Sequence, residues 1–84
     1  MGDPAELINV SSLTELAQDK TSLTAIAKPF NGDLLQGHLL HVSDGDSQWV
    51  VSTYLSDKPK LYKRADALLK EAKKIGLAQV CFEL

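Results

Sequence analysis

An 84-residue chain that is 44% hydrophobic and 24% charged has the balance of one small globular domain spanning 1–84, which excludes a fully disordered or two-domain protein. Its net charge is −2, too acidic for a wholly basic nucleic-acid binder. Even so, seven basic residues stand against three acidic ones between Asp57 and Lys74, which predicts a basic side and an acidic side. Cys81, the single cysteine, permits no internal disulfide or cysteine-rich zinc site and fits a reducing cytoplasm.

Residues 1–10 carry few signals, and poor order is expected there. Pro4 could open a turn of helix over Ala5-Glu6-Leu7-Ile8. Met1-Gly2-Asp3-Pro4 shows no positive region leading into an apolar core, so no secretory signal is expected. Glu6 stands where a myristoylation signal needs Ser or Thr. No apolar run approaches the roughly 20 residues that cross a bilayer. Ser12-Leu13-Thr14-Glu15 has capping-box spacing and predicts a short helix ending near Asp19-Lys20. The segment from Thr21 to Lys28 reads either way. Leu23, Ala25 and Ala27 alternate as in a strand, whereas Leu23, Ile26 and Ala27 suit a helix, and the helical reading is preferred. Pro29 ends either element.

Asn31-Gly32-Asp33 predicts a turn. Leu34 to Val42 reads as a central strand with leucines on both faces. Asp44-Gly45 between two β-like runs predicts a hairpin, with Gln48 to Leu55 as the returning strand. Trp49 and Tyr54 fall on opposite faces of that strand, so one of them is a candidate exposed aromatic for a partner. A turn over Ser56-Asp57-Lys58-Pro59 leads to a short strand, Lys60-Leu61-Tyr62. From Arg64 to Ile75, Ala65, Leu68, Leu69, Ala72 and Ile75 form one apolar helical stripe, with Gly76 at the left-handed C-terminal position. Val80, Phe82 and Leu84 alternate as a final strand. The long connection from Lys63 to Gly76 can carry that strand to a parallel or non-adjacent position.

His38 and His41, three apart on a strand, point to opposite faces and would not share a metal. Asp33, Asp44 and Asp46 suggest calcium, but position twelve counted from Asp44 is Leu55, not the closing Glu such a loop needs. Turn chemistry accounts for these aspartates. Cys81 lies between Val80 and Phe82 and is expected to pack inertly. No nucleophile elbow and no glycine-rich phosphate loop occurs. An enzyme is therefore not expected, and neither is a cofactor, a metal or a catalytic residue. Lys60, Lys63, Arg64, Lys70, Lys73 and Lys74 are the candidate phosphate-contacting residues, with Tyr62 for stacking. A solvated helix face with lysines at its negative end produces the same pattern.

The run Tyr62-Lys63-Arg64-Ala65-Asp66-Ala67-Leu68-Leu69-Lys70-Glu71-Ala72-Lys73-Lys74-Ile75-Gly76 resembles an aromatic-Lys-x-x-Asp-Ala…Gly pattern of small accessory proteins of bacterial plasmids and other mobile elements. It covers under a fifth of the chain, and an amphipathic helix following a strand produces much the same pattern. The resemblance carries over no functional residue.

These readings predict an α+β domain: an antiparallel β-meander, a packed helix and a final strand (βββαβ), preceded by short helical segments. The expected function is a non-enzymatic module that binds a protein partner or associates with itself as a homodimer. The alternative is a nucleic-acid accessory protein using the basic 58–74 face.

Overall fold

The hairpin at Asp44-Gly45 is the centre of the fold. In the computed structural model, which describes residues 6–19, 23–53 and 58–83, β3 (His38–Ser43) and β4 (Gln48–Val51) run antiparallel. His41 lies opposite Val50, and Ser43 opposite Gln48. The Asp44 carboxylate accepts the N–H groups of Asp46 at 2.9 Å and Ser47 at 2.7 Å. That bonding is the turn chemistry expected of an aspartate ahead of a glycine.

β2 (Thr24–Pro29) pairs antiparallel with the whole of β3, from Thr24 opposite Ser43 to Pro29 opposite His38. The helical preference for 21–28 is thereby corrected; Thr21 and Ser22 lie outside the described residues. Ala25 and Ala27, which weaken the strand pattern in the sequence, are buried against the helices. Tertiary pairing overrides a local preference that small side chains leave nearly undecided. At one edge, β1 (Glu6–Ile8) is parallel to β4, a strand where a helical turn or fraying was expected. At the other, β6 (Cys81–Phe82) is parallel to β2. The strand order is β1-β4-β3-β2-β6, and β5 (Leu61–Tyr62) also pairs with β3. The sheet is mixed, so the antiparallel βββαβ arrangement is replaced by β-α-β-β-β-β-α-β, and the coarser α+β class stands.

Both strands of the predicted hairpin are shorter than expected. Leu34–Gln36 forms a 3₁₀ turn, and the strand begins only after Gly37. Asp33 organises this loop: its carboxylate accepts the Leu35 N–H and the Gln36 side-chain amide. Gly37 has φ 115°, and a Cβ there would sit 2.8 Å from the Tyr62 carbonyl oxygen, so only glycine fits. β4 stops at Val51. Ser52 bridges to Pro59, and the Lys60 N–H bonds the Val51 carbonyl at 2.8 Å. The expectations for Pro4, Tyr54, Leu55 and Leu84 fall outside the described residues.

Both helices pack on one face of the sheet. α1 (Val10–Asp19) starts at Val10 rather than Ser12. Its cap is Asn9, whose side-chain oxygen accepts the Ser12 N–H at 2.8 Å; asparagine caps as well as serine does, and Ser12 lies inside the helix. α2 (Ala65–Ile75) ends as predicted at Gly76, which has φ 109°. The Leu77 N–H returns to the Ala72 carbonyl and the Gly76 N–H to that of Lys73, a Schellman closure. Leu13 from α1 and Leu68 and Ile75 from α2 meet Ala25, Ala27, Leu40, Val42, Val51 and Tyr62 in the core. Of the predicted stripe, Leu68, Ala72 and Ile75 are buried, while Ala65 and Leu69 are exposed.

Candidate functional site

The six basic residues divide into two groups. Lys60 Nζ is 2.7 Å from Glu71 Oε1, and Arg64 Nε is 3.1 Å from Asp66 Oδ1. These two cations already face carboxylates. Lys63, Lys70, Lys73 and Lys74 are exposed. Helical geometry places Lys70, Lys73 and Lys74 on the outward side of α2, opposite the buried Leu68, Ala72 and Ile75. Tyr62 is not available for stacking on a base. It is 4% exposed, on the inward side opposite His38, and its hydroxyl donates to Glu71. Lys60 also lies 5.2 Å from the Tyr62 ring centroid. The Lys60–Tyr62–Glu71 group therefore belongs to the packing of α2 on β5. Burial pushes the Glu71 carboxyl up, but hydrogen bonds from Lys60 and Tyr62 and the charges of Lys60 and Lys74 outweigh it and hold the group below its usual value.

The histidines point to opposite faces, as strand alternation requires. His38 is buried on the helix side, edge-on to Phe82 with ring centroids 5.4 Å apart. Among the described residues its Nδ1 is the one buried side-chain polar atom without a hydrogen-bond partner. Cys81 is exposed, which corrects the expectation of inert packing. It occupies a two-residue edge strand that nothing described flanks on its outer side. Among the described residues no three His, Cys, Asp or Glu side chains gather as metal ligands, and no helix is long and apolar enough to cross a membrane.

The remaining surface of interest is the sheet face opposite the helices. Because Ala25, Ala27, Leu40 and Val42 point inward, Ile26 and Lys28 of β2 and Leu39, His41 and Ser43 of β3 point the other way. Their cross-strand neighbours Val50, Leu61 and Leu7 extend the same face. Leu7 and Leu61 are exposed, and Ile26 and Leu39 are half-buried. Towards the hairpin this face holds a cleft of about 300 Å³, lined by Thr24, Ile26, Lys28, His41, Val42, Ser43, Gly45 and Gln48. Burial and then the charge of Lys28 hold the His41 imidazole below its usual value, against a smaller opposing pull from Glu83.

Among these lining residues the sequence singles out Gly45, for the hairpin turn, and His41, as an isolated residue. The signal for the rest was the alternation of Thr24, Ile26 and Lys28, which a helical assignment of 21–28 erases. Comparison with known proteins finds no matching family model, no matching curated protein and no matching solved structure.

Proposed function

We propose that this protein is a non-enzymatic binding module and that a partner protein docks an extended segment on the sheet face opposite the helices. The observation that carries this reading is the one-sidedness of the sheet. α1 and α2 share one face, while the other leaves Leu7, Ile26, Leu39 and Leu61 at least partly accessible beside the hydrogen-bonding groups of Thr24, Ser43 and Gln48. Apolar side chains mixed with polar groups that can still pair are the usual make-up of a protein interface. The likeness of 62–76 to accessory proteins of plasmids and mobile elements is compatible with such a role, and the lone exposed cysteine suits a cytoplasmic setting.

The test uses captured partners and two surface variants. A partner taken from the native cell should bind the wild-type chain, and amide shifts should fall on Thr24, Ile26, Leu39, His41 and Gln48. Ile26→Asp should weaken binding, whereas replacing Lys70, Lys73 and Lys74 by Gln should not. Shifts confined to α1 and α2 refute the reading. A partner that proves to be a second copy gives a dimer visible by light scattering, and Ile26→Asp should dissociate it.

A second reading is favoured by the outward lysines. In this reading Lys70, Lys73 and Lys74, exposed on the outward side of α2, and the exposed Lys63 contact nucleic-acid phosphates. Binding would then weaken steeply with salt, and the slope would fall when these lysines are replaced. Absence of binding to DNA and RNA at low salt removes this reading.

A further inference from the structure

We infer that the cleft beside the hairpin turn receives the carboxylate of an acidic side chain on the docked partner segment, with Lys28 as its counter-charge and Thr24, Ser43 and Gln48 as hydrogen-bond donors. This deepens the binding-module reading and rests on it.

Three observations carry it. The first is size. At about 300 Å³ the cleft lies at the lower limit of ligand pockets, room for one side chain rather than a large cofactor. The second is charge. The ionisable groups lining the cleft are Lys28 and His41, and none of the lining residues is acidic. The acids around it are otherwise placed. Asp44 turns its carboxylate to the backbone of the hairpin loop, Asp46 is exposed in that loop, and Glu83 faces His41 from beyond β6. The formal charge carried by the lining residues is therefore positive, which complements an anion. The third is hydrogen bonding. Ser43 Oγ accepts the Gly45 N–H at 3.1 Å, which leaves its hydroxyl proton to donate. Thr24 Oγ1 and the Gln48 amide add donors on the flanking strands, and Ile26 offers an apolar surface for the methylene groups of the entering side chain.

The same arrangement sets a pH dependence. A carboxylate beside His41 favours the imidazolium, so binding takes up a proton there. Affinity should rise as pH falls towards the titration of His41, until the carboxylates themselves protonate.

The probes are blocked glutamate and blocked glutamine, each N-acetylated and C-amidated, titrated into the full chain and followed by NMR at His41 and the cleft amides. Saturable shifts at Thr24, Ile26, His41, Ser43 and Gln48 are expected with glutamate. Glutamine should bind about fivefold more weakly, the scale of a half-exposed ion pair. The His41 titration should move up with glutamate bound. Lys28→Gln should abolish the preference and Lys28→Arg should restore it, with the spectrum of each variant reporting its fold. Equal binding of the two probes, or an unmoved His41 titration, overturns the carboxylate assignment while leaving partner docking on the sheet to its own Ile26→Asp test. Loss of partner docking on Ile26→Asp with indifference to Lys28 substitution likewise retires the carboxylate alone.

Discussion

The Tyr62 hydroxyl donates to the Glu71 carboxylate, fastening α2 to β5 across nine residues of sequence. Lys60 donates to the same oxygen. Burial, then the hydrogen bond and charge of Glu71, push the Tyr62 phenol well above its usual value, while Glu71 is held below its own.

Each shift implies a pH window. For Glu71, whose folded value is depressed, the stabilisation is present above its unfolded titration near about 4.3 and is lost as pH falls through the folded value. For Tyr62, whose folded value is raised, it is present below about 10 and lost as pH rises. Urea midpoints across pH should therefore show a plateau that falls on both sides. Glu71→Gln should flatten the acid limb. Tyr62→Phe should flatten the alkaline limb and cost about 1 kcal/mol at neutral pH, because water competes at this partly exposed pair. An unchanged alkaline limb in Tyr62→Phe would contradict the assignment.

Leu68 and Leu69 are adjacent in sequence and opposite in consequence. Leu68 is 0% exposed and Leu69 45%. Leu68→Ala should cost about 2–5 kcal/mol, a large share of a small domain's stability of roughly 5–15 kcal/mol. Leu69→Ala should cost under about 1 kcal/mol, since half of that side chain already meets water. Chemical denaturation of the two variants in parallel checks the orientation of α2, and equal losses would mean that the stripe faces elsewhere.

Gly37 and Gly32 both have positive φ but differ in their surroundings. A methyl at Gly37 meets the Tyr62 carbonyl at 2.8 Å, whereas at Gly32 nothing lies within 4 Å. Gly32→Ala should cost about 1 kcal/mol from backbone strain alone. Gly37→Ala should cost more, by about 1–3 kcal/mol, because the β3–β5 pairing must shift to admit the methyl. Thermal melts of the two variants give the comparison.

The N-terminus of α1 offers a fourth measurement. Asn9→Ala removes the acceptor of the Ser12 N–H and should cost about 1 kcal/mol. Ser12→Ala leaves that cap in place and should be nearly neutral. Were Ser12 the cap, the order would reverse.

Some of this architecture was written in local pattern. The hairpin at Asp44-Gly45, the amphipathic helix ending at Gly76 and the opposed histidines each depend on neighbours within a few residues, where turn chemistry and side-chain periodicity act directly. The sequence also identified all six basic residues. Folding then pairs Lys60 and Arg64 with carboxylates, leaves Lys70, Lys73 and Lys74 outward, and turns Tyr62 inward.

Three-dimensional pairing decided the rest. Residues 24–29 become a strand because β3 offers six residues of backbone to pair with, a partner that lies outside any local window. The three-residue β1 and two-residue β6 are edge strands made by docking alongside β4 and β2, too short to carry a period of their own. The cleft follows from those pairings. Lys28 and Ser43 are distant in the chain, and what brings them to one surface is the β2–β3 register, which fixes the face each side chain takes.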